Sequence, residues 1–208
     1  MDQLLVYSDS LSWGIIPGTR QRLPFDSRWP GVLEAALLER SRDVRVIENC
    51  LNGRRTVWND PFKPGRNGCD GLAQVIEMHS PLRLVLLMLG TNDFQCTHDN
   101  DAWLSAQGTA ALVNHIRKAP VEPGMPTPEI LILAPPAVAG PRGDMADKFA
   151  GAERRGAGLP AELETVASSV GAAFFDAGRV VEVSRIDGVL LDAPDHRRLG
   201  QAIAEYLL

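Results

Sequence analysis

Leu4-Leu5-Val6-Tyr7-Ser8-Asp9-Ser10-Leu11-Ser12-Trp13-Gly14 sets four large apolar or aromatic residues in a row, then breaks into a polar turn. An uninterrupted run of this length, closed by small polar residues, reads as a strand buried on both faces, the kind found inside a parallel sheet. A serine just past such a strand has its hydroxyl at the carboxyl edge of the sheet. The N–H groups that open the following helix are free to donate, so the same turn supplies a nucleophile and a donor for an oxyanion. Ser10 is the candidate nucleophile. The same residues also read as a plain helix cap, with Asp9 or Ser10 as the capping side chain.

Working outward, four further apolar runs follow: Val44 to Ile47, Leu82 to Leu89, Ile130 to Ala134 and Ala173 to Phe175. Helical spacing separates them. Trp29 to Glu39 carries Val32, Leu33, Ala36 and Leu37 on one face, with Pro30 in its first turn. Leu72 to His79, Ala102 to Lys118 and Leu159 to Val170 repeat the pattern. Pro194 to Leu208 closes the chain as a helix with Asp192 or Ala193 near its cap and Leu199, Ile203 and Leu207 inward. Strands alternating with helices predict a three-layer α/β domain with a parallel sheet. With 208 residues, 45% of them hydrophobic, the chain suffices for one core, so residues 1–208 are expected to form a single domain.

A formal net charge of -5 argues against nucleic-acid or anionic-membrane partners, which need a basic face. Apolar runs such as Leu84 to Leu89 are too short to span a bilayer, and no signal-like segment precedes the first strand. Cys50, Cys69 and Cys96 lack Cys-x-x-Cys spacing, which fits reduced thiols in the cytoplasm rather than a disulfide framework or structural zinc.

The loops after the first four strands are rich in Ser, Asn, Gly, Arg and Pro, and ligands of open parallel sheets bind beyond the carboxyl ends of the strands. After the second strand, Gly53 can turn its N–H toward Ser10, or serve only as a loop residue with positive φ. After the third, in Gly90-Thr91-Asn92-Asp93, Asn92 can present an amide donor or close an Asx turn. Before the last helix, Asp187-Gly188-Val189-Leu190 offers a carboxylate able to orient a base three residues on. The long stretch from Pro135 to Gly156 reads as a rim segment, either a lid, a subunit contact or an ordered bystander. Asp93, His98, Asp99 and Asp101 gather charge without a converging ligand spacing, so no metal and no cofactor is expected.

Taken together, these blocks resemble the SGNH hydrolases, also called the GDSL esterase and lipase family, in order along nearly the whole chain. The segments Ser8 to Gly14, Asp26 to Leu33 and Met88 to Asp93 are similar to the bacterial arylesterase and acyltransferase branch. The resemblance implies a flavodoxin-like five-stranded sheet of order 2-1-3-4-5. It further implies Ser10 as nucleophile, the N–H of Ser10, the N–H of Gly53 and the amide of Asn92 as oxyanion hole, and Asp187 as the orienting carboxylate. Subunits packing around the site as a homo-oligomer are also implied. Two positions depart from the family pattern: Ser8 stands where glycine is usual, and Leu190 stands where the catalytic histidine is expected. Leucine neither takes nor gives a proton.

Four histidines remain: His79, His98, His115 and His196. His196 lies about 9 Å further along a helix than position 190 and reads as a surface residue. His98 follows Asn92 on the working face, while His79 and His115 read as ordinary residues near helix ends. Trp13, Ile15, Phe94 and Val138 are candidate pocket walls, or simply loop packing. The expected activity is hydrolysis of small acyl or aryl esters, with acyl transfer to alcohols or peroxide as a further implication, slowed by Leu190. The rival expectations are a non-catalytic ester- or acetylated-sugar-binding protein and a flavodoxin-like nucleotide or flavin binder. Against the latter, Ser8 to Gly14 lacks a Gly-x-Gly-x-x-Gly phosphate cradle.

Overall fold

The computed structural model describes residues 1–208. Five strands, β1 (Asp2–Ser8), β2 (Val44–Cys50), β3 (Leu84–Met88), β4 (Glu129–Ala134) and β5 (Ala173–Asp176), form one parallel sheet in the order β2-β1-β3-β4-β5. This is the sheet expected above. Between the strands lie α1 (Ser10–Trp13), α2 (Trp29–Glu39), α3 (Leu72–His79), α4 (Ala102–Arg117), α5 (Ala152–Arg155) and α6 (Leu159–Val170), with α7 (Ala193–Tyr206) after β5.

Because side chains alternate along a strand, each strand feeds two cores. Leu5, Tyr7, Val85, Leu87, Ile130 and Ile132 pack with residues of α3, α4 and α6. Leu4, Val6, Leu84, Leu86, Leu131 and Leu133 face the other way, against α2 and α7. The continuous apolar runs follow directly from this, since no strand residue in the middle of the sheet meets water.

The register places the site. Ser8 pairs with Cys50 on one side and Met88 on the other, so the loops after β1, β2 and β3 leave the same edge side by side. The chain order reverses between β1 and β3, the crevice where ligands of such sheets bind.

Two details differ from the sequence reading. β3 is shorter than the Leu82–Leu89 run, because Leu82 and Leu89 are buried but lie beyond the ladder. The rim segment after β4 folds back on the loop after β5: Ala139 N–H donates to Gly188 O at 3.0 Å and Arg142 N–H to Asp187 O at 3.0 Å. Phe149, 2% exposed, anchors this segment to the core. No helix is long and apolar enough to cross a membrane.

Candidate active site

Ser10 is the first residue of α1, and Asp9 caps that helix by accepting from Leu11 N–H at 2.9 Å. Asp9 is therefore the capping side chain, and the Ser10 hydroxyl is left free. Ser10 Oγ bonds no protein group, and its residue is half-buried. Ser8 turns its side chain inward. Its hydroxyl donates to Met88 O at 2.8 Å and accepts from Ser12 Oγ at 2.6 Å, while Trp29 Nε1 donates to Ser12 Oγ at 3.0 Å. Serine at residue 8 thus adds a buried hydrogen-bond chain and turns no group toward Ser10.

The donors come from the neighbouring loops. Gly53 has φ +84, the left-handed region glycine adopts without strain, and its N–H bonds no protein acceptor. Asn92 is 3% exposed and ties three loops together. Its Nδ2 donates to Asp9 Oδ2 at 2.8 Å and to Arg54 O at 3.2 Å, and its Oδ1 accepts from Gln95 Nε2 at 2.6 Å. The amide is fixed in place, but both of its protons are engaged. Burial pushes the Asp9 carboxyl up to about 7, although the bonds from Leu11 and Asn92 favour its charged form.

Two residues in this network carried no signal in the sequence reading. Arg54 lies 3.9 Å over the Tyr7 ring and donates to Ser8 O at 2.9 Å and to Asn49 Oδ1 at 2.8 Å. Arg55, with no exposed surface, donates to Gln95 Oε1 at 2.9 Å and Thr97 Oγ1 at 2.7 Å. Asp93, next to Asn92, is also a tether: it accepts from Thr56 N–H at 2.9 Å and from the hydroxyls of Thr56 and Ser105 at 2.7 Å each.

Asp187 sits in the loop after β5 and is 5% exposed. Its Oδ1 accepts from the N–H groups of Val189 and Leu190, both at 2.9 Å. Its Oδ2 is buried and has no partner. Buried carboxylate oxygens ordinarily find a donor. Leu190, 2% exposed, lines a cleft of about 250 Å³ with Asp187, Gly18, Arg20, Arg142 and Ile186.

The remaining histidines are accounted for. His196 corrects the surface reading: it is 1% exposed, its Nδ1 accepts from Trp29 N–H at 3.3 Å, and its Nε2 is buried without a partner. Burial pulls it down to about 4. It braces α7 against α2. His98 bonds Asn59 O at 2.9 Å through Nε2, with its ring centroid 6.1 Å from that of Trp58. Neither these nor His79 or His115 bonds Ser10.

The four candidate wall residues divide. Phe94 and Val138 line one cavity of about 110 Å³ with Thr91 and Pro135. Trp13 lies elsewhere, under the Arg22 guanidinium at 4.5 Å, and Ile15 is buried in an antiparallel bridge to Arg22.

Comparison with known proteins bears on this arrangement. A model of the GDSL-like lipase/acylhydrolase family matches residues 9–202. An arylesterase of Vibrio mimicus is 38% identical over 92 residues, a match that covers 44% of this chain and 38% of that protein's length. Est24, a carbohydrate acetylesterase from Sinorhizobium meliloti, superposes with a TM-score of 0.93 at 31% identity, covering 100% of this chain and 98% of its own. The aryl esterase of M. smegmatis in its inhibitor-bound form does so at 0.94 and 32%, with the same coverage. A lipase/acylhydrolase from Enterococcus faecalis, 14% identical at a TM-score of 0.69 and covering 100% of this chain and 95% of its own, shares the fold.

Proposed function

Since this chain belongs to the GDSL-like lipase/acylhydrolase family, we propose that it is a serine ester hydrolase of small acyl or aryl esters, working through an acyl-Ser10 intermediate and held back by Leu190. One observation carries the reading: Asp187 is braced by two backbone N–H groups on one oxygen, while its other oxygen is buried and unpartnered beside Leu190. That is the environment of a carboxylate arranged to orient a proton-bearing ring nitrogen.

In the proposed chemistry, Ser10 Oγ attacks the ester carbonyl carbon and its proton passes to a base at position 190. The N–H groups of Ser10 and Gly53 and the Asn92 amide hold the oxyanion. Asn92 would release its longer bond, the 3.2 Å contact to Arg54 O, to do so. Collapse expels the alcohol, which takes the proton back from the base. Water then deacylates Ser10, or an alcohol or peroxide does so where it outcompetes water. With leucine at 190 the first proton has no protein acceptor, and the loss of a triad member costs several powers of ten while about 10³- to 10⁴-fold catalysis over water survives.

A second reading, a binding protein that retains the pocket without the chemistry, is favoured by the fact that Ser10 Oγ bonds no protein group and no histidine reaches it. Turnover of phenyl acetate by the chain, by Leu190→His and by Leu190→His/Ser10→Ala separates the two. We expect Leu190→His to raise kcat by at least about 10³-fold and Ser10→Ala to abolish the gain. No gain from Leu190→His, with intact folding by circular dichroism, would overturn the hydrolase reading in favour of binding alone.

A further inference from the structure

Cations from three loops gather near Gly53 and the Asp187–Leu190 cleft, in a chain whose net charge is -5. Arg20 comes from the loop after β1, Lys63 and Arg66 from the loop after β2, and Lys148 from the rim segment after β4. Arg66 stands beside Gly53: its Cγ and Nε lie 4.0 Å from where a Cβ on that glycine would sit, and its Nε is held by Asn52 O at 3.0 Å. Arg20 lines the cleft that contains Asp187 and Leu190. A cation therefore stands at each end of the site, one by the oxyanion donor and one by the position of the base.

These charges feel one another. Lys63 is pulled below the usual lysine range by burial and then by Arg66 and Arg20. Lys148 is pulled down by burial too, with Lys63, Arg20 and Arg55 adding to it and Asp60 opposing. None of Arg20, Lys63, Arg66 and Lys148 is within 4 Å of a carboxylate oxygen, unlike Arg22 and Arg28, which share Glu48. Of the acidic groups nearby, Asp60 is already committed: it accepts from the N–H groups of Phe62 and Lys63 and faces Arg55 at 3.4 Å. Asp144 and Asp187 line the same cleft as Arg20 and Arg142, neither within 4 Å of a guanidinium nitrogen.

Resting on the hydrolase reading, we propose that the site selects esters whose alcohol portion carries an anionic group, held by Arg20, Lys63 and Lys148. The alcohol side is indicated because the base at position 190 must protonate the departing oxygen, and Arg20 lines that same cleft. The acyl carbonyl oxygen, by contrast, would lie against the donors of Ser10, Gly53 and Asn92. Uncompensated like charges around a concave mouth attract an opposite charge and raise its local concentration, an effect that salt weakens.

The test compares 4-acetoxybenzoate with 4-acetoxybenzamide, which differ in charge at the far end of the leaving group, using Leu190→His as the catalyst. Three exposed charges at a factor of about two each give roughly a tenfold preference in kcat/KM for the anion. That ratio should fall toward one in Leu190→His/Arg20→Gln/Lys63→Gln/Lys148→Gln, and also on raising the ionic strength. A ratio at or below one, or a ratio unchanged by the three glutamines, overturns the proposal. Should Leu190→His hydrolyse neither ester, the hydrolase reading falls instead. Calorimetric binding to the unaltered chain then decides the charge preference, with 4-acetamidobenzoate expected to bind roughly tenfold tighter than 4-acetamidobenzamide. Equal affinity would overturn it.

Discussion

The two sides of the site are built differently. Around Ser10, three loops are laced by side chains that have found partners: both oxygens of Asp9, both ends of the Asn92 amide and both oxygens of Asp93 are hydrogen-bonded. The Asp187 loop, by contrast, is held by backbone contacts with the rim segment and carries a carboxylate oxygen with no donor and a leucine. The difference separates two requirements of nucleophilic catalysis. In the proposed hydrolase, two oxyanion donors are backbone N–H groups, which no side-chain replacement removes, and the third, the Asn92 amide, also ties three loops together. A base would be one side chain, and position 190 holds instead a well-packed leucine, 2% exposed.

That contrast can be broken most forcefully by Leu190→His, the several-power gain set out above. Next in size is Asn92→Ala in the Leu190→His background. Removing one oxyanion donor costs about 10² to 10³ in kcat, and we expect that loss in a steady-state assay with an aryl acetate. A loss below about threefold would mean that the Asn92 amide stays committed to Asp9 and Arg54 and serves only the fold.

Glycine substitutions sharpen the comparison through stability. On the Asp187 side, Gly188 has φ +75 and a Cβ there would lie 2.4 Å from Ala139 O. Gly188→Ala should therefore cost about 2–3 kcal/mol in denaturant melts. Gly53 also has positive φ, but a Cβ would meet nothing closer than 4.0 Å, so Gly53→Ala should cost only about 1 kcal/mol of backbone strain. Equal costs would show that the rim segment does not press on the Asp187 loop as described.

The smallest effect concerns pH. His196 lies at about 4 in the folded protein, below the ordinary histidine value of 6.5, so the unfolded chain takes up the proton first and stability falls as pH drops from 6.5 toward 4. Asp9, at about 7 against an ordinary 3.8, acts in the opposite sense: the folded state keeps its proton longer, and that contribution is lost as pH rises from 3.8 toward 7. The two slopes oppose each other between about pH 4 and 6.5. His196→Gln should remove a term worth about 1.4 kcal/mol at pH 5.5, leaving melting temperatures that decline with rising pH across that window. An unchanged slope would show that His196 titrates normally.

Much of the architecture was legible because it rests on local pattern. Trp29 to Glu39, Leu72 to His79 and Leu159 to Val170 begin and end where the apolar spacing and the flanking Gly or Pro say they should. The burial of His196 escapes the pattern: residues 196, 199 and 203 share one buried helical face, but a histidine in a polar first turn reads as surface. The arginines were not legible. Arg54 and Arg55 look like a solvated pair, and besides the nearby Asn49 and Asp60 their partners, Ser8 O for one and Gln95 and Thr97 for the other, lie about 40 or more residues away in the chain. The same holds for the link from Asn92 to Asp9, which spans 83 residues and exists only because β1 and β3 are neighbours. Tertiary partnerships of polar groups leave no periodicity to read.

The serine at position 8 has one more consequence. Its hydroxyl is the only acceptor for the Ser12 proton, and Ser12 Oγ in turn receives the Trp29 indole N–H, all three buried. Ser8→Gly would strand a hydroxyl at about 1–3 kcal/mol, and trimming Ser12 as well would strand the indole. Residues 8, 12 and 29 thus behave as one unit, in which a single replacement leaves a buried polar group of another without its partner.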